Sequence, residues 1–105
     1  MTAVVDQDLT GQLRACLARH AASLAASDVR SVSLVGSVAR GEGGPTSDVD
    51  LLLDLAPGAT FDLVDLVAFK EELAAEFGRK VDDLFKDGLR PYVAEAVERD
   101  ALRLI

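Results

Sequence analysis

Three carboxylates and one glycine-serine pair are the residues of this chain whose types and spacing could do chemistry. Asp48 and Asp50 stand two apart at the head of an apolar run, with Val49 between them and Leu51 to Leu53 after them. At the two-residue period of a strand both side chains point to one face. Their Cα atoms would lie roughly 6.5–7 Å apart at ~3.3 Å per residue. That spacing suits one shared cation, or two cations roughly 3.5–4 Å apart. Carboxylates emerging from a hydrophobic strand repel each other and call for a cation or a shared proton.

Gly36-Ser37 adds a tight turn, close backbone approach, a hydroxyl and an N–H. A short helical turn through Ala39-Arg40 would aim N–H groups at an anion, and Arg40 could supply positive charge to phosphates. Arg40 could equally pair with Glu42 or Asp48. The stretch lacks GxxxxGK[ST], so it is no Walker A loop. The third acid is Asp82, which could complete a second metal position or act as a general base. Asp83 beside it competes for that role. The chemistry this set predicts is metal-assisted transfer at a phosphorus centre, in which Mg²⁺ takes one or two protein carboxylates plus substrate phosphates.

The elements that must position these residues are legible as α-β-β-α-β-α. Leu9, Leu13, Leu17 and Leu24 form one stripe of a helix from about Asp8 to Ala26. Val29 to Val35 alternates as a strand, and Val49 to Leu55 is apolar enough for a strand covered on both faces. Thr60 is the expected cap of a helix from Phe61 to Phe77, with Lys70, Glu71 and Glu76 outward and Gly78 ending it. Lys80 to Phe85 reads as a third strand, and Pro91 opens a last helix. The short Ser37–Asp48 link predicts antiparallel neighbours, and the intervening helix predicts a parallel crossover between the second and third strands. One edge of a small mixed sheet would then gather Gly36-Ser37, Asp48, Asp50 and Asp82.

Composition narrows the alternatives. The chain has 105 residues, 11 Lys+Arg against 18 Asp+Glu, and a net charge of −7. That length suits one α/β-type (α+β) domain spanning residues 1–105. One Cys and one His exclude an intramolecular disulfide and a standard zinc site. Cys16 and His20 lie in a helix whose apolar partners explain them. No run approaches the roughly 20 apolar residues of a membrane span, and the acidic opening residues do not resemble a signal peptide. A cytoplasmic protein without membrane attachment is expected. Net negative charge disfavours direct nucleic-acid binding by the isolated chain. Arg79, Lys80, Lys86 and Arg90 form the one cationic concentration, as ordinary surface or as a rim for triphosphate or RNA. Tyr92 reads as packing.

Gly36-Ser37, ten intervening residues and Asp48-Val49-Asp50 resemble the G-S-x10-D-x-D signature of polymerase-β-type nucleotidyltransferases. The runs GSVARGEGGPTSDVDLLLDL, FDLVDLVAFKEELAAEFGRKVDDLF and KDGLRPY are similar to the minimal nucleotidyltransferase antitoxins, over about Leu9 to Val97. The resemblance implies a polymerase-β-like core using Mg²⁺, with two ions expected, and ATP as substrate. It implies Asp48, Asp50 and Asp82 as catalytic metal ligands, Gly36 and Ser37 on the triphosphate, and Arg40 near the phosphates. It also implies a hetero-oligomer with a HEPN-domain toxin, an RNase, on which some members transfer AMP to a tyrosine. Asp83 departs from the family, whose members tend to be apolar there; pleat parity favours Asp82. Two other activities stay open: occlusion of the toxin by a binding module, and nucleotidyl transfer to tRNA or a small molecule. No helical domain is evident to hold base or acceptor, so a partner is expected to complete the site.

Overall fold

A computed structural model describes residues 7–42, 44 and 47–105. The opening residues read above for a signal peptide, and Gly43, Pro45 and Thr46 of the glycine-bearing loop, lie outside the described residues. The elements are α1 (Gln7–Ala26), β1 (Val29–Val35), α2 (Gly36–Ala39), β2 (Val49–Leu55), α3 (Leu63–Phe77), β3 (Val81–Phe85), a 3₁₀ turn (Lys86–Gly88), α4 (Pro91–Asp100) and β4 (Leu102–Arg103).

The sheet has the order β3-β2-β1-β4 among the described residues. β1 runs antiparallel to β2, and β2 runs parallel to β3, with Asp50 opposite Asp82 and Leu51 opposite Asp83. Both relations match the expectation from connection lengths. The added β4 pairs antiparallel with β1 through Ser33–Arg103 and Leu34–Leu102. Two residues carry no alternation to read, so sequence reasoning missed it.

Strand alternation sets which residues face the core, with one register shift in β1 between Val29 and Ser31. Val32, Leu34, Val49, Leu51, Leu53 and Val81 point into a core that Leu13, Leu17 and Leu24 of α1 and Phe69 and Leu73 of α3 complete. Leu13, Leu17, Leu34, Leu51, Leu53 and Leu73 are fully buried, and losing one such side chain costs about 2–5 kcal/mol. Cys16 is buried and donates to Glu76 at 3.0 Å; burial first, then that bond, pushes its thiol to about 11. His20 packs edge-on against Phe69 and lies 3.5 Å from Glu72.

The third helix begins two residues later than expected. Asp62, not Thr60, is its cap: the Asp62 side chain accepts from the Asp65 N–H, and the Asp65 side chain accepts from the Asp62 N–H. This reciprocal pair satisfies two otherwise orphaned donors. Gly78 ends the helix at φ +63, as placed from the sequence. Pro91 opens α4, but no α4 residue is fully buried, and the helix lies across the sheet face opposite α1 and α3. No helix of the described residues is long and apolar enough to cross a membrane.

Candidate active site

The candidate site lies where β1 ends and β2 and β3 begin, because one antiparallel and one parallel pairing bring those three ends to one sheet edge. β1 stops at Val35, which pairs with Asp50, and the chain turns into α2 at Gly36 with φ +76. Only glycine adopts that angle freely. A Cβ at position 36 would also overlap the Asp50 carboxylate. The single turn of α2 follows, closed by Arg40 N–H to Gly36 O at 3.2 Å and Glu42 N–H to Ser37 O at 2.8 Å. Its first-turn N–H groups have no intrahelical acceptor, and half-buried Ser37 sits among them.

Parity places Asp50 and Asp82 on the same sheet face, opposite each other in register. Asp48 joins them through Lys80, whose Nζ lies 3.9 Å from Asp48 and 3.8 Å from Asp82. Lys70 of α3 approaches Asp82 to 3.5 Å, although helical phase marked it as outward; a long flexible stem allows that reach. Among the described residues, Asp50 has no such partner. Burial, then the neighbouring Asp82 and Asp48, raise its carboxyl above the ordinary value, with Lys80 and Arg40 opposing.

Asp83 points the other way, into the face covered by α1 and α3. Both of its carboxylate oxygens are screened from solvent and lack a hydrogen-bond partner among the described residues. Burial pushes it to about 7, reinforced by Asp82 and opposed by Lys70. Geometry therefore separates the two acids that sequence left in competition: Asp82 shares the face of Asp50.

The cationic concentration divides among separate tasks. Arg79 donates to the carbonyls of Ser47 at 3.1 Å and Gly44 at 2.5 Å, tying down the loop that leads into Asp48. Sequence reasoning gave Arg79 no such task, because its acceptors are backbone atoms that carry no residue-type signal. Lys86 pairs with Glu98 at 2.6 Å and lies 3.9 Å from Asp54. Arg40 forms the pair weighed for it, with Nε 3.0 Å from Glu42, and still borders a cleft of about 280 Å³ together with Gly36 and Asp50. Tyr92 is 68% exposed, so it packs against little.

Among the described residues, no three His, Cys, Asp or Glu side chains converge closely enough to hold a metal ion unaided. The donors present are carboxylate oxygens, the type that Mg²⁺ accepts while it takes its remaining ligands from phosphates and water. A lysine ammonium already lies across Asp48 and Asp82, so the pair accommodates positive charge. The residues fit a hard divalent cation that arrives with a phosphorylated substrate.

With this geometry in view, the chain belongs to the nucleotidyltransferase domain family, whose model matches residues 17–104. It is an enzyme of the nucleotidyltransferase class, of the minimal type. The protein adenylyltransferase MntA of Thermococcus cleftensis is 34% identical over 74 residues, covering 70% of this chain and 73% of that protein. A solved structure of a proposed minimal nucleotidyltransferase superimposes with TM-score 0.70 at 34% identity, covering 89% of this chain and 93% of the other. A solved toxin-antitoxin complex with AMP-PNP shares the fold at TM-score 0.66 and 18% identity, covering 84% and 71% of the two chains.

Proposed function

We propose that this chain is the antitoxin of a toxin–antitoxin pair and transfers AMP from Mg-ATP to a tyrosine of a HEPN-domain toxin in the cytoplasm. The observation that carries the reading is Asp48, Asp50 and Asp82 gathered on one face beside a Gly36 whose missing Cβ makes room for Asp50. The names of the MntA relative and of the toxin-antitoxin complex with AMP-PNP support the acceptor and nucleotide classes.

In this reading Asp48, Asp50 and Asp82 hold Mg²⁺, while Gly36, Ser37 and Arg40 hold the phosphates. Bound Mg²⁺ would screen the phosphate charge and acidify the attacking hydroxyl. The backbone N–H groups at Ser37 and the Arg40 guanidinium orient the triphosphate so that the α-phosphorus faces the acceptor. The tyrosine oxygen forms a bond to that phosphorus as the bond to the bridging oxygen breaks, and pyrophosphate leaves. The phenolic proton passes to Asp82 or to solvent. Positioning and charge neutralisation supply most of the acceleration.

The test is production of the chain together with a candidate HEPN-domain toxin, followed by intact mass measurement of that protein. The expected result is a mass increase of one AMP on a tyrosine, absent with Asp48→Ala; no adduct under Mg-ATP overturns the transfer reading. A second reading, neutralisation by occlusion, is favoured by Leu63, Val64 and Val67, which leave an exposed apolar strip on α3. Neutralisation that survives Asp48→Ala/Asp50→Ala would support it.

A further inference from the structure

The cleft of about 280 Å³ beside Gly36 has lining residues that the transfer chemistry does not use. Besides Gly36, Arg40 and Asp50, its lining includes the apolar residues Val35, Leu84, Ala96 and Val97. Leu84 lies two residues beyond Asp82 on the same strand and is 38% exposed, a large apolar side chain left open on the sheet face. Ligand pockets generally run to about 300–1,000 Å³, so this one suits part of a nucleotide. Apolar lining residues in the same cleft as Gly36 and Arg40 suit a flat heteroaromatic base.

One polar side chain interrupts those walls. Asp100, the last residue of α4, lines the cleft. A carboxylate at a helix C-terminus sits at the unfavourable end of the helix dipole. No hydrogen bond or ion pair offsets this among the described residues, and the side chain is exposed. A carboxylate can only accept hydrogen bonds. It therefore favours an exocyclic amine at a base edge and repels a carbonyl oxygen in the same place.

Resting on the nucleotidyltransferase reading of the neighbouring carboxylates, we propose that this cleft seats the nucleobase and that Asp100 selects bases bearing an exocyclic amine. Adenine and cytosine present such an amine where hypoxanthine and uracil present a carbonyl. Leu84, Ala96 and Val97 supply the base-independent apolar surface, and Asp100 supplies the discrimination.

Binding of Mg-ATP, Mg-ITP and Mg-2′-deoxyATP to the full chain, measured by titration calorimetry, tests the assignment. ITP differs from ATP chiefly in replacing the 6-amino group by a carbonyl. The expected preference for ATP over ITP is about tenfold, the scale of one exposed hydrogen bond to a charged group. Asp100→Ala should remove that preference, and Asp100→Asn, whose amide can both donate and accept, should bring the two nucleotides to near parity. A preference that persists in Asp100→Ala overturns the proposal. So does equal tightening of ATP and ITP in that variant, the signature of a carboxylate that only repels triphosphate. Loss of discrimination against 2′-deoxyATP instead of ITP also overturns it, because Asp100 would then read the sugar. Failure of the wild-type chain to bind any Mg-nucleotide overturns the nucleotide reading itself, and the proposal with it.

Discussion

The Asp50 carboxylate fills the space that a Cβ on Gly36 would occupy, and Gly36 holds φ +76. Two independent constraints, one steric and one conformational, thus fall on the residue that joins β1 to α2. Gly36→Ala must move Asp50 and also pay the left-handed backbone penalty, about 1–2 kcal/mol. The expected outcome is a modest fall in melting temperature and a loss of transfer rate of about 100-fold or more, since small displacements at a reacting centre have that effect. Thermal unfolding and a transfer assay on the same preparation check it.

Asp50 carries a raised pKa from burial and from the like charges of Asp82 and Asp48. Its folded form therefore binds protons over a window in which the unfolded chain has released them. Its contribution falls as pH rises through that window. Asp50→Asn should raise the melting temperature in EDTA at neutral pH, and should not show the stabilisation by Mg²⁺ with ATP that is expected of the wild type. Melting curves with and without the metal-nucleotide pair measure both effects.

Asp83 is a sharper case, because both its oxygens are buried without partners among the described residues and its pKa is raised to about 7. The ordinary aspartate value is near ~3.9, so stability should be greatest below about pH 4 for this group. It should decline as pH rises towards about 7, by up to about 4 kcal/mol. Asp83→Leu should stabilise the chain at pH 8 and flatten its urea-unfolding pH profile between pH 4 and 8. An unchanged profile would mean that Asp83 is solvated.

Arg79 acts on the loop before Asp48 through the carbonyls of Ser47 and Gly44. Arg79→Ala removes two charge-assisted hydrogen bonds and frees the approach to Asp48. The expected outcome is about a tenfold loss in kcat with a much smaller change in melting temperature. Steady-state kinetics beside thermal unfolding separate the two.

Much of this arrangement was legible because it depends on period and connection length. A ten-residue link between Ser37 and Asp48 makes β1 and β2 antiparallel neighbours, and a helix-length crossover makes β2 and β3 parallel. Strand parity then separates Asp82 from Asp83. What escaped the sequence depends on particular atoms. The cap at Asp62 beat Thr60 because only Asp62 has Asp65 three residues on to reciprocate. Lys70 follows the outward helical phase, yet a four-carbon stem lets it reach Asp82. Arg79 binds carbonyls, and β4 is too short for a pattern. Asp100 enters the cleft only because α4 lies across the open sheet face, a docking angle no local signal encodes.

The central claim is transfer of the α-phosphoryl with its adenosine, and the position of the label tests it most directly. The chain, its partner, Mg²⁺ and ATP labelled at either the α- or the γ-phosphorus are incubated in parallel, with Asp48→Ala/Asp50→Ala as control. The account predicts α-label on the partner, γ-label only in released pyrophosphate, and neither on the partner with the control variant. Label from the γ-position on the partner, or α-label that persists in the control, would contradict it.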